Sequence, residues 1–352
     1  MIDSDAKLAE FLPILKAAEW IALDTEADSL HAYPEKLCLI QITTAAGDVL
    51  IDPLAGLNLQ PLWPELKKHE LILHGGDYDL RLFRKNHGFV PDRIFDTMLA
   101  ARLLGEREFG LGSLVKRHLG IILEKGSQKA DWAKRPLTPR MEDYARADTR
   151  HLKPLSDILK AQLIEKKRLA WQEQSCDSLI AECAIPSSPE PDLVWRIKGS
   201  HKLARAALGV LRELWRWREQ EAVASNKPPY FVLSHEALVD ISAAVVDHQP
   251  IDPFLPRHFS PRRKDALCDA VQKGLALPSD QHPAILRFQS RRQTESQRQR
   301  FVQLEQRRNK QAAELDLDPT LIGSRATLLA LAEDWDVHKN ELMGWQKELL
   351  EC

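Results

Sequence analysis

Cysteine is scarce in this chain of 352 residues. Five are present, Cys38, Cys176, Cys183, Cys268 and Cys352, an odd number at long separations and with no C-x-x-C pair. That excludes a disulfide framework or a zinc site as the organising device and points to reduced thiols in a cytoplasmic protein. An excess of one charge is lacking too, because 49 Lys and Arg stand against 51 Asp and Glu, a net of −2. A polyelectrolyte tail is thereby excluded, whereas local basic patches are not, since net charge averages over faces. No apolar run approaches the roughly 20 residues needed to cross a bilayer. The start, Met1 to Lys7, is acidic and has no signal-peptide core, so neither a membrane span nor a secretory leader is expected. What is present is 44% apolar and 28% charged residues, enough for a buried core and too apolar for wholesale disorder. At roughly 150 residues per domain the length gives two to three domains.

Over the first 150 residues or so, short apolar strands alternate with helical patterns, the signature of an α/β layer domain. Trp20–Asp24, Leu37–Ile42, Val49–Ile51 and Leu71–Leu73 read as strands, with Gly47-Asp48 as a hairpin signal between the second and third. Helical patterns cover about 78–87, 96–104, 111–119 and 138–168. Short links make the first three strands antiparallel; later ones need crossover helices, so the sheet is predicted to be mixed. Ile185–Pro191 holds three prolines in seven residues and reads as a linker. Beyond it the pattern is helical, with Leu203, Ala207, Val210, Leu211 and Leu214 on one face. Pro-rich breaks near 250–256 and 278–283 divide that half into two small all-helical modules.

Three segments carry acids of interest. Asp24-Thr25-Glu26 closes the first strand, and alternation turns Asp24 and Glu26 to the same side. Two adjacent carboxylates repel unless a cation sits between them, and hard oxygen ligands suit Mg²⁺ or Mn²⁺. His74-Gly75-Gly76-Asp77-Tyr78-Asp79 follows the fourth strand and opens a helix, with Asp77 read as its N-cap and Asp79 in its first turn. Tyr144 and Asp148, at i and i+4, share a helix face. Each element alone is weak, since surface acid pairs are common. Their convergence at the C-terminal ends of strands in one sheet, where α/β folds place sites, is the informative point.

In this order and spacing, Asp24-x-Glu26, Asp79 and Tyr144-x-x-x-Asp148 resemble the three exonuclease motifs of the DEDD superfamily. The tyrosine matches its DEDDy branch; the histidine branch would place His where this chain has Asp143. The resemblance narrows to the ribonuclease D family. Leu37–Ile42 is similar to the continuation of its first motif, and Ala130–Leu137 (Ala-Asp-Trp-Ala-Lys-Arg-Pro-Leu) to the run before its third, with Ala130 where Ser is usual. Trp195–Gly199 resembles the entry to an HRDC module, and Leu317-Asp318-Pro319 to Leu331 the second half of one.

The resemblance implies a ribonuclease H-like exonuclease domain, with a mixed sheet flanked by helices, followed by two small all-α HRDC-like domains. The expected division is 1–170 exonuclease, 171–192 helix end and linker, 193–275 HRDC, and 276–352 a second, degenerate HRDC-like domain. It implies 3′→5′ hydrolysis of RNA with two divalent ions, Mg²⁺ or Mn²⁺, releasing nucleoside 5′-monophosphates, with tRNA precursors as substrates and the chain acting as a monomer. Asp24, Glu26, Asp79 and Asp148 would hold the ions and Tyr144 would orient the attacking water. The alternatives are a DNA 3′→5′ exonuclease, since the same acids cut both polymers, and a catalytically silent nucleic-acid-binding protein.

Further residues are read two ways. His31, in the loop after the first motif, lines the terminal-nucleotide pocket or is loop packing. His74 shapes the site or is a buried, hydrogen-bonded histidine. Trp132 stacks on a base or anchors the core. Arg135 contacts phosphate or pairs with a neighbouring acid. Leu286–Lys310 carries eight basic residues (Arg287, Arg291, Arg292, Arg298, Arg300, Arg307, Arg308, Lys310) against Glu295 and Glu305, and Arg257, Arg262, Arg263 and Lys264 form a second cluster. These track an RNA backbone or are solvated helix faces.

Overall fold

The structure, a computed structural model, describes residues 1–351 apart from 125, 187–189, 258 and 287–292. Its sheet has five strands, β1 Ile21–Ala27, β2 Leu37–Thr44, β3 Gly47–Ile51, β4 Glu70–Leu73 and β5 Arg93–Asp96, in the order β3-β2-β1-β4-β5. β1 pairs antiparallel with β2, and β2 with β3; β4 runs parallel to β1, and β5 to β4. The sheet is therefore mixed, as the link lengths predict. The turn between β2 and β3 is made by Ala45-Ala46, and Gly47-Asp48 open β3 instead, because the register pairs Thr44 with Gly47 and Thr43 with Asp48. β5 was not among the predicted strands.

The helices in chain order are α1 Asp5–Lys16, α2 Leu62–Lys67, α3 Asp77–His87, α4 Thr97–Leu103, α5 Leu111–Leu119, α6 Pro139–Arg150, α7 Leu152–Glu165 and α8 Leu169–Ala184. Then come α9 Arg205–Ser225, α10 Pro229–Val232, α11 His235–Val246, α12 Pro261–Leu275, α13 Glu295–Leu315, α14 Pro319–Ile322, α15 Arg325–Glu333, α16 Trp335–His338 and α17 Gly344–Leu350. Local chemistry sets their starts. Thr138 accepts from the Met141 amide and Pro139 occupies the first turn of α6; Ser234 and Ser260 cap α11 and α12 in the same way.

One face of the sheet is an apolar core of Leu23, Ile40, Ile42, Ile51, Leu71, Leu73 and Phe83. The other lies under α6, where Leu39 and Leu50 meet Trp132, Met141 and Ala145. The residues gather into two compact units: Met1–Ala27, Leu37–Pro186 and Arg291–Cys352 form one, Asp28–Lys36 and Ser187–Ser290 the other. In the first unit the C-terminal helices share a core with α4, α5 and α7, through Leu103, Leu114, Leu155 and Leu159 on one side and Leu304, Ile322, Leu331 and Trp345 on the other. The Arg168 guanidinium ties the two sides by donating to the carbonyls of Leu103 and Leu315, both at 2.7 Å. In the second unit α9 is the axis, with Trp195, Leu211, Leu214 and Trp217 buried. α12 comes so close to α9 that a Cβ on Gly274 would lie 2.5 Å from the Val210 Cα. No helix among the described residues is long and apolar enough to cross a membrane.

Candidate metal centre

The turn after β4 is built around one buried carboxylate. Asp96 accepts from the amides of Gly75 and Gly76, at 3.1 and 2.8 Å, and from those of Met98 and Leu99 at the start of α4, at 2.8 and 3.0 Å. Gly75 has φ +66°, a conformation open to glycine. This corrects the reading of Asp77 as N-cap: Gly76 is the cap, and the Asp77 carboxylate instead pairs with Arg81 at 2.9 Å. The tie to β5 fixes where α3 begins and so where Asp79 points.

On β1, Asp24 and Glu26 face α6, the helix that carries Tyr144 and Asp148. α6 is seated by Ala145, which is fully buried, and by the paired hydroxyls of Thr43 and Thr149 at 2.7 Å. Asp24, Glu26 and Asp148 are thereby brought together, each offering a carboxylate oxygen within 4.8 Å of the others. Asp79 is not in that trio. It is 6% exposed and accepts a short hydrogen bond from the Thr25 hydroxyl. Its charge still reaches Asp24 and Glu26.

The electrostatics are those of acids confined together. Burial first, then Asp148 and Asp79, push Glu26 up to about 9. Burial raises Asp148 to about 7, against the lowering effect of the Tyr144 hydroxyl that donates to it. Burial raises Asp79 to about 6 although Thr25 holds its charged form. Asp24 is raised well above the ordinary range by burial and by the other three acids. The charged neighbours that act most on these four are all acids. An all-oxygen, uncompensated donor set fits a hard divalent cation. Tyr144 is pushed far above its usual value by burial and by Asp148, so it stays protonated at neutral pH.

Asp24, Glu26 and Asp148 line a cleft of about 720 Å³, with Tyr144 and His74 in its wall; Asp79 is not among its lining residues. His74 is largely buried, lies 2.9 Å from the Thr97 hydroxyl through Nδ1, and is held neutral by burial. Ser113, Lys116 and Gln128 also line the cleft, and Gln128 hydrogen-bonds Tyr144. Sequence reasoning missed these three, because nothing marks one lysine among many or a glutamine in a loop.

Other sequence readings are corrected or left without support. His31 is not among the lining residues. Trp132 is 1% exposed and packs beside Tyr144 with ring centroids 6.1 Å apart, so its faces are closed to a base and it buttresses the tyrosine. Arg135 has no donor left for phosphate. Its five N–H groups go to both Asp52 oxygens (2.5 and 2.6 Å) and to the carbonyls of Cys38, Trp132 and Lys134. Of the basic clusters, Arg262, Arg263 and Lys264 pair with Glu221 and Asp252, and Arg298, Arg308 and Lys310 with Glu295, Glu305 and Glu314. Arg287, Arg291 and Arg292 lie outside the described residues. Most of the described cations are thus partly neutralised within the chain.

Comparison with known proteins agrees with this geometry. The 3′-5′ exonuclease family profile matches residues 1–164, and that of the HRDC domain matches 207–246. A ribonuclease D of Zymomonas mobilis is 38% identical over 247 residues, a match spanning 69% of this chain and 63% of that relative. One of Pseudomonas paraeruginosa is 32% identical over 81% of this chain and 77% of its own length. The crystal structure of Escherichia coli RNase D, described as an exoribonuclease involved in structured RNA processing, superimposes with a TM-score of 0.75 at 26% identity, covering 99% of this chain and 96% of that one. Motifs, fold and relatives converge, and the chain belongs to the ribonuclease D family.

Proposed function

We propose that this protein is a metal-dependent 3′→5′ exoribonuclease that hydrolyses the terminal phosphodiester bond of RNA and releases nucleoside 5′-monophosphates. One observation carries the reading: three carboxylates on β1 and α6 meet within 4.8 Å in an open cleft, where the charges that act most on Asp24 and Glu26 are those of other acids. Asp24, Glu26 and Asp148 would hold a divalent ion, with Asp24 and Asp79 completing the site for a second, Mg²⁺ or Mn²⁺. When bound, such ions lower the pKa of water and stabilise the leaving 3′-oxygen.

The chain's own residues do the rest. Tyr144 is protonated and hydrogen-bonded by Gln128, so it orients the attacking water and is no base. Trp132 and Ala145 keep the Tyr144–Asp148 face of α6 fixed on the sheet. Lys116, on the cleft wall, supplies a positive charge for the strand's phosphates.

We read 1–170 as the catalytic domain, 171–192 as helix end and linker, 193–275 as an HRDC domain, and 276–352 as a degenerate second one. Structured RNA, tRNA precursors in particular, is the substrate we favour, cut by a monomer in the cytoplasm. The likeness to the E. coli enzyme, itself involved in structured RNA processing, supports the RNA reading. The test is digestion of matched 5′-labelled RNA and DNA oligonucleotides with Mn²⁺. RNA shortening one nucleotide at a time from its 3′ end, with 5′-monophosphates released, is the expected result. Preference for DNA, or no cleavage, would overturn it.

A further inference from the structure

Gln41, at the middle of β2, is fully buried, and neither its amide nitrogen nor its carbonyl oxygen has a hydrogen-bond partner. A primary amide shut away from water without partners is destabilising, so such a group calls for an explanation. Its surroundings are defined by the register. Gln41 stands opposite Asp24 on β1 and opposite Leu50 on β3. Residues directly opposite in an antiparallel pair project to the same face with Cβ atoms about 4.5–5.5 Å apart. Along its own strand the same face carries Leu39 and Thr43, beneath α6. Leu39 and Leu50 offer nothing polar. Thr43 already donates to Asp48 at 2.9 Å and shares a hydrogen bond with Thr149. The remaining polar neighbour fixed by the register is the carboxylate of Asp24.

We propose that Gln41 is a positioning residue of the metal centre: with a divalent cation in the acid cluster, its carboxamide N–H donates to the Asp24 carboxylate and sets which oxygen of Asp24 faces the cation. A carboxylate has about four acceptor sites on two oxygens. A cation engages those on one side; the Thr25 amide donates to Asp24, and Gln41 is the side-chain donor that the register sets opposite it. Partners of this kind, one step behind the ligands, typically change metal affinity 10–100-fold when removed. The inference rests on the reading of Asp24, Glu26 and Asp148 as a metal centre.

The test uses the full chain stripped with EDTA and titrated calorimetrically with Mn²⁺ alone, alongside thermal unfolding in EDTA. Gln41→Met keeps length and volume and removes the amide. It is expected to weaken Mn²⁺ binding about tenfold or more while leaving the unfolding midpoint in EDTA unchanged or higher. Leu50→Val, which removes one buried methylene from the same interface beside Gln41, is expected to lower that midpoint and leave Mn²⁺ affinity alone. Unchanged affinity in Gln41→Met overturns the proposal, as does an equal loss in Leu50→Val, which would mean general loosening under α6. If Gln41→Met does not fold, Gln41→Leu takes its place; failure of both makes the amide a requirement of the core and also overturns it. Wild-type protein that binds no Mn²⁺ removes the metal-centre reading itself, an outcome distinct from the others.

Discussion

Asp52 and Asp24 are carboxylates of one sheet, treated in opposite ways. Asp52, just past β3, is 5% exposed and meets the Arg135 guanidinium through both oxygens, with the Leu54 amide as a further donor. Asp24, two strands away, has Asp79, Asp148 and Glu26 for charged neighbours. Where a buried charge only holds the fold together, the chain neutralises it from within. Where it is left among like charges, the fold is carrying a cost that something from outside must relieve. That contrast, more than the count of acids, separates a site from a strut.

The largest effect that would break the comparison is catalytic. Asp24→Asn is expected to lower 3′→5′ hydrolysis by on the order of 10³-fold or more, the loss of several kcal/mol of charge stabilisation. RNA binding, measured by filter retention, persists. In EDTA the same variant is expected to unfold at a higher temperature than wild type, because one of four repelling acids is gone. A near-normal rate, or a lower midpoint in EDTA, would put Asp24 with Asp52 among the structural acids.

Arg135→Ala is the mirror experiment. It strands a buried carboxylate and three carbonyls, and is expected to cost about 3 kcal/mol in denaturant unfolding. Its rate per folded molecule should stay close to wild type, since no Arg135 donor faces the cleft. A variant of full stability with a collapsed rate would return Arg135 to phosphate contact.

The third prediction concerns pH. Glu26 is raised to about 9, Asp148 to about 7 and Asp79 to about 6. Acids whose folded pKa exceeds the unfolded value bind more protons in the folded state, so stability falls as pH rises through that gap. In EDTA the unfolding free energy is therefore expected to decline from the ordinary carboxylate range up to about pH 9, with Glu26 governing the upper part. Saturating Mn²⁺ should flatten the decline. A profile in EDTA that is level or rises with pH would mean the acids are not crowded as the geometry has them.

Much of this site is legible in the sequence, because its logic is periodic. Alternation alone turns Asp24 and Glu26 to one side, and i, i+4 spacing aligns Tyr144 with Asp148. What is not legible is what arrives from far along the chain. The turn that leads into α3 is held by Asp96, about 20 residues on, which leaves Gly76 as the cap and displaces Asp77, the local candidate. β5 is only Arg-Ile-Phe-Asp and runs straight into α4, too short to show a period of two. Trp132 and Arg135 sit in a motif beside the chemistry, but burial and five satisfied donors make them supports. The trio without Asp79 depends on a hydroxyl bond from Thr25, which faces away from the other two acids in any strand pattern.

The smallest effect sharpens the line between holding a site together and working in it. Thr138 caps α6 by accepting from the Met141 amide at 3.3 Å, a long bond, and Pro139 already presets the first turn. Thr138→Ala is expected to cost about 1 kcal/mol of stability. Fraying of that end should not travel to the acids. Ala145 lies buried against the sheet between the cap and Asp148, and the Thr43–Thr149 pair pins the next residue. The expected outcome is a lowered unfolding midpoint with hydrolysis at saturating Mn²⁺ within about twofold of wild type, the range of surface-distant changes. A tenfold fall in rate would show that Asp148 is held by the register of the whole helix, not by its local seat on β2, and the division between strut and site would then run through α6 itself.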